Sequence, residues 1–265
     1  MIWKLFRGRE LRMVWRVSKA GRTSFLVGTA HFCPHSFRRS LKRLLGQSEA
    51  ALFEGPLDPA SMEKVVAAGM QGHDADGLLD QLDPRILGTI AKVLDLDTKP
   101  SSSDPKAGLA SAVSSMKPWL AFFSMYTTFL KKKGWKHSVD LEAYTIANKL
   151  RKNVVFMETI EDQIEVLESL SFRQMADFLN RIESWDAYTR DFMQWYLDGD
   201  ISKIARNPYN FPTRNPWVID RRDAIFFEKM QPYLERGRAA VFVGVPHVAG
   251  INRMLVDAGY TVEQD

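Results

Sequence analysis

Two segments of this 265-residue chain place a histidine three residues after a glycine: Gly28-Thr29-Ala30-His31 and Gly244-Val245-Pro246-His247. Each closes an apolar run, and Glu54 and Glu158 stand in the same relation to runs 50–53 and 153–157. In open α/β sheets, ligands bind beyond the carboxyl ends of the strands, where glycine lets the backbone approach closely. Two imidazoles and two carboxylates at one such edge are ligands for zinc, manganese, iron or cobalt, and with an open position they would activate water. One Gly-x-x-His says little. Two of them, in a chain with only 5 histidines and with two strand-end glutamates, are a more selective set.

The elements that must carry these residues begin with two strands, 11–17 and 24–29, around the turn at Lys19-Ala20-Gly21-Arg22. A helix is expected over 36–47, a strand over 50–53, and helices over 59–70, 84–94, 118–132 and 139–150, several with proline in the first turn. A strand over 153–157 follows, then helices over 160–170, 172–197 and 218–236. The chain closes on a strand over 239–243, a helix over 248–258 and a strand over 260–263. The expected fold is α/β: a central mixed sheet of N- and C-terminal strands in one domain of residues 1–265, with a large helical insertion at roughly 58–135. Residues 99–105 read as an internal loop. The aromatic run Trp119, Phe122, Phe123, Tyr126 and Phe129 reads as a buried helix face, and Pro208-Tyr209-Asn210-Phe211-Pro212 as an ordered loop or lid.

Composition narrows the function classes. Cys33 is the only cysteine, which excludes an intrachain disulfide framework and favours a reducing, cytoplasmic setting. Seven basic residues interrupt the first 22, so no secretory signal is expected. The longest apolar run, 118–130, falls short of the roughly 20 residues a membrane helix needs. Residues 1–43 hold 11 Lys and Arg against Glu10 alone, so the rest of the chain carries 4 − 10 = −6. This basic face offers peripheral contact with anionic lipid, but nucleic acid is not expected without a zinc-finger, RNA-binding or helix-turn-helix pattern.

The blocks TSFLVGTAH, ALFEGPLD, VDLEAYTIANKLRKNVVFMETIEDQ and AAVFVGVPHVAGINRMLVDAGYTVE, in that order, resemble the signature blocks of the TraB/GumN/Tiki family. The resemblance implies an α/β fold distantly shared with erythromycin esterase and ChaN-like proteins, and a metallopeptidase-like activity using manganese or cobalt. Position by position, it assigns His31, Glu54, Glu158 and His247 to the family site. Arg222-Asp223 stands where the family often has Arg-Asn, and Pro246 and Cys33 replace residues that are usually small or aliphatic.

The expected activity is therefore hydrolysis of an amide, peptide or ester bond by metal-activated water. His31, Glu54 and His247 would hold a divalent metal, manganese, cobalt or zinc. Glu54, Glu158 and Arg222 would act in catalysis on a peptide or small-molecule substrate, with Gly28, His35, Asp140 and Gly244 in the pocket. The alternative is a non-catalytic module that binds or senses haem or a metal through the same cluster. Asp140 and Glu142 have helix capping as their default role. A His31-x-Cys33-x-His35 metal cluster is not expected, because Pro34 interrupts it and a fourth ligand is missing. His73 and His137 read as surface residues.

Overall fold

The computed structural model describes residues 9–70, 72, 75–95 and 105–265. Lys4 and Arg7 of the basic segment, His73 and the loop residues 99–104 lie outside the described residues. The first half of the chain runs β1 (Val14–Lys19), β2 (Arg22–Thr29), α1 (Arg38–Gly46), β3 (Ala50–Phe53), α2 (Pro59–Gly69) and α3 (Ala75–Asp80). Next come α4 (Pro84–Val93), α5 (Pro105–Val113), α6 (Pro118–Lys132), α7 (Val139–Lys149) and β4 (Asn153–Phe156). The remainder is α8 (Ile160–Glu168), α9 (Phe172–Leu179), α10 (Trp185–Asp198), α11 (Ile201–Ala205), α12 (Pro216–Arg236), β5 (Ala239–Gly244), α13 (Val245–Asp257) and β6 (Thr261–Gln264).

These strands form one mixed sheet in the order β4-β3-β5-β2-β1-β6. The four strands β4, β3, β5 and β2 are parallel, and β1 runs antiparallel between β2 and β6. Every residue of β3 and β5 is buried, which is why Ala-Ala-Leu-Phe and Ala-Ala-Val-Phe-Val-Gly show no polar alternation. Phe53 pairs with both Phe242 and Phe156, and Thr29 pairs with Gly244, so the four parallel strands end at one edge of the sheet.

The expected α/β sheet with a helical insertion is the fold observed. Helices α2 to α6 lie between β3 and β4, and α2, α3 and α6 pack on α8 and α9. The aromatic run of α6 is buried as expected except at Phe123, which is only partly covered: Phe122, Tyr126 and Phe129 meet Phe178 and Trp185. Phe211, from the proline-rich loop, packs into the same cluster against Tyr126 and Phe178, so that loop is anchored here rather than standing off as a lid.

Several boundaries differ from the sequence reading: β1 begins three residues later than expected, α3 and α11 were not foreseen, and three further differences have clear local causes. The helix expected over 172–197 breaks after Leu179, where the Asn180 side chain accepts from the Asp83 N–H and donates to the Gln81 carbonyl. A side chain that hydrogen-bonds distant backbone competes with helix continuation, and no local periodicity registers it. The last helix starts at Val245, three residues early, because Pro246 suits a first turn and is not a barrier to it. Pro105 opens α5 instead of ending a loop.

The basic face is partly compensated. Arg16 meets Asp265 at 3.0 Å and Arg43 meets Glu10 at 2.9 Å, while Arg38, Arg39 and Lys42 remain exposed on α1. Among the described residues, no helix is long and apolar enough to cross a membrane.

Tyr196 joins α10 to the sheet by donating its buried hydroxyl to the Gly28 carbonyl at 2.7 Å. Tyr196→Phe removes that bond alone and is expected to cost about 1 kcal/mol in urea unfolding. An unchanged midpoint would show that α10 does not depend on it.

Candidate functional site

Four strand ends deliver the candidate residues. Glu54 follows β3 directly, and its carbonyl accepts from the Met157 and Glu158 N–H groups at 3.0 and 2.8 Å, which sets the two glutamate segments side by side. His247 lies in the first turn of α13, which leaves β5 without a linker. The Gly244 N–H at that turn donates to Glu54 Oε1 at 2.5 Å. A Cβ on Gly244 would lie 3.2 Å from the same oxygen, so glycine keeps the carboxylate close to the turn.

Helix α12 brings three residues to this edge. Arg222 donates through Nη2 to Glu54 Oε2 at 2.8 Å and to Glu158 Oε1 at 2.5 Å, and through Nε to Glu158 Oε2 at 3.1 Å. Its Nη1 lies 3.2 Å from His247 Nε2. Arginine has no acceptor, so His247 Nε2 must accept and Nδ1 carries the proton. That Nδ1–H donates to Asp223 Oδ1 at 2.6 Å, and Phe226, one turn on, packs edge-on against the His247 ring.

His31 follows β2 on a loop tied to α7: Cys33 and His137 exchange backbone hydrogen bonds at 2.9 and 3.0 Å, and Val139 N–H donates to the Ala30 carbonyl at 3.1 Å. Ser138 caps α7 through the Leu141 N–H. The expected capping role of Asp140 is thus corrected: its buried carboxylate accepts from His31 Nδ1 and from the Ser138 hydroxyl. Both histidines are therefore held through Nδ1 by an aspartate.

The charges couple these groups. Burial pushes the Glu54 carboxyl up, but Arg222, then His247 and His31, outweigh it and hold it at about 2. Burial dominates at Glu158 and raises its pKa despite the Arg222 hydrogen bonds. Asp223 is also raised by burial, against its hydrogen bond to His247. Asp140 attracts a proton to His31 strongly enough, against burial, to raise that pKa from 6.5 to about 9. The His31 side chain is 65% exposed, so water screens much of this pair's energy.

The structure thus brings Glu54, Glu158, Arg222 and His247 into one hydrogen-bonded cluster, and His31 and Asp140 into its electrostatic neighbourhood. Two expected pocket residues stand elsewhere. A Cβ on Gly28 would meet Val248 and Val245, so Gly28 serves helix packing. At His35, burial and then the charges of Arg9 and His137 lower the pKa. His137, expected at the surface, is half-buried and bonds Glu142 at 3.1 Å, while Glu142 also accepts from the Phe37 N–H. Gly250 went unnoticed in the sequence, yet a Cβ there would lie 1.9 Å from Asp223 Oδ2. A glycine inside a helical pattern is the signal that pointed to such a close approach.

The sequence model of the TraB/PrgY/gumN family matches residues 13–264, from just before β1 to the end of β6. The chain belongs to this family. No curated protein and no solved structure was found to match the chain.

For a metal ion, the donors fit in kind. An imidazole whose Nδ1–H is held by a carboxylate has its tautomer and orientation set for coordination through Nε2, and His247 Nε2 lies 3.9 Å from Glu54 Oε1. Among the described residues no group of three or more His, Cys, Asp or Glu side chains is drawn together around an ion position. Arg222 Nη1 instead sits at His247 Nε2, so that contact and a ligand bond from the same nitrogen exclude each other.

Two predictions follow from these charges. Arg222→Met leaves two buried carboxylates facing each other and is expected to destabilise the fold by about 3–5 kcal/mol at pH 8. The loss should shrink in acid, because Glu158, raised by burial, takes up its proton before an ordinary glutamate would; equal losses in alkaline and acid solution would mean that Arg222 is not the counter-charge. In metal-free protein, the His31 ring should titrate near 9 by NMR and return toward 6.5 in Asp140→Asn. Because the folded pKa is the higher one, the pair's contribution to stability is complete below about pH 6.5 and is lost as pH rises through about 9.

Proposed function

We propose that this protein hydrolyses an amide, peptide or ester bond of a peptide or small-molecule substrate at the cluster of His31, Glu54, Glu158, Arg222 and His247. The observation that supports this most is the paired construction of the two histidines. Each follows one of two adjacent parallel strands, each is held at Nδ1 by an aspartate, and each acts on the charge of Glu54. Histidines that bind metal or move protons commonly donate the other ring N–H to a carboxylate, which fixes the tautomer and the ring orientation.

His31, Glu54 and His247 are the residues that would hold a divalent manganese, cobalt or zinc ion, with Arg222 drawn off His247. Such an ion would polarise the scissile carbonyl and supply a water nucleophile at neutral pH. Glu54 stays ionised and accepts the proton that the attacking water gives up. Glu158, raised by burial, is the better carrier of a proton to the leaving group; neighbouring carboxylates whose pKa values are pushed apart divide acid and base work in this way. Arg222 is a positioning residue, since its N–H groups are engaged with both glutamates and His247.

The test is to purify the protein without an affinity tag, measure bound metals, and screen peptides and esters with manganese, cobalt and zinc. Turnover is expected in at least one metal, and Glu54→Gln should lower it by about 10²–10⁴-fold. His247→Ala should lose the metal. Stoichiometric retention of metal or haem with no turnover in any condition would instead make the chain a binding module.

A further inference from the structure

His31 faces two ways. Besides the cluster, its ring borders a surface groove of about 440 Å³ between the loop after β2 and the connection from α6 to α7. Phe32, Trp135 and Leu141 give the groove apolar walls, and Leu141 is 41% exposed at the first turn of α7, where burial would be favourable. Lys131 and Lys136 are the cations that line it.

Those two lysines differ from their neighbours. Lys132 pairs with Asp95 at 2.5 Å, and Lys133 pairs with Asp186 at 2.7 Å while lying over the Phe129 ring. Among the described residues, Lys131 and Lys136 meet no carboxylate within ion-pair distance. The nearby acids are already engaged: Asp140 by His31 and Ser138, and Glu142 by His137 and the Phe37 N–H. The groove therefore combines apolar walls with unmatched positive charge, beside an imidazole of the candidate site.

We propose that this groove seats the part of the substrate flanking the bond to be cut, and that this part is an apolar side chain or acyl chain carrying a carboxylate. The inference rests on the hydrolase reading for the position of the cut bond, and on the groove alone for the chemistry of its ligand. An apolar amine is rejected by the two ammonium groups, and a short polar acid leaves the Trp135 and Leu141 surface uncovered.

The probe is 3-phenylpropionate, compared with 3-phenylpropylamine of similar shape, in NMR titrations of the full chain. The acid should bind more tightly and shift the His31 and Trp135 side-chain signals. Doubly reversed Lys131→Glu, Lys136→Glu should weaken the acid by about fivefold and favour the amine, as expected for two exposed charge pairs. Both lysines are exposed, so the variant's melting curve should match that of the parent. Equal affinity for acid and amine, or affinities untouched by the charge reversal, would overturn the proposal. Acetyl-Leu-Asp-amide, added to Glu54→Gln protein, separates the two sources of the chemistry: binding as tight as the acid's marks a peptide, and weaker binding a free organic acid. Neither phenyl probe has a bond to cut, so this assignment fails or stands apart from the turnover result.

Discussion

Two carboxylates at the ends of neighbouring parallel strands, both nearly closed to water, repel each other unless a cation lies between them. The Arg222 guanidinium fills that position, with three N–H contacts on Glu54 and Glu158 and a fourth on His247. Its planar fork serves several acceptors at fixed angles, which a lysine ammonium does not do equally well. Because Arg222 comes from α12 and the glutamates follow β3 and β4, this one group also fastens the helix across the edge of the sheet. Asp223 and Phe226 then reach His247 from the same helix.

The two histidines repeat one arrangement with different exposure. His247 is buried, with both ring nitrogens engaged, whereas His31 stands largely in solvent with only Nδ1 held. One imidazole is thus built into the protein interior and the other borders the surface groove beside Trp135 and Leu141. The difference follows from the supporting elements: α13 begins directly at the end of β5, while His31 lies on a loop fixed by its backbone pairing with the segment before α7. The aromatic cluster around Phe178 and Tyr126 supports the far side of that segment by holding α6 in place.

Membership of the TraB/PrgY/gumN family covers nearly the whole chain and so includes every residue of the cluster. Within that frame this chain has an aspartate, Asp223, after its arginine, and the structure gives it a partner in His247 and room in the cleft that Gly250 leaves. The aspartate is therefore accommodated locally. No structural consequence is visible for Cys33, whose thiol is buried and hydrogen-bonded to the His35 carbonyl.

Short apolar runs closed by a glycine or an acid were enough to place β2, β3, β4 and β5 and the residues that follow them; in β3 and β5 the run is unbroken because both faces of the strand are buried, while β4, at the sheet edge, keeps an apolar run that is only partly covered. His31, Glu54, Glu158 and His247 were legible for this reason, as was the alternation of strands with helices that makes the fold α/β. What each of them touches was decided only in three dimensions. Asp140 looked like a helix cap and Asp223 drew notice only as the neighbour of Arg222, since the first turn of a helix favours carboxylates whatever their role and a long helix shows no local sign of which residue meets a distant ring. Arg222 lies 168 residues from Glu54 along the chain, and the field it creates, like the groove at Lys131 and Lys136, exists only once the packing of α12 and α6 has brought those side chains together.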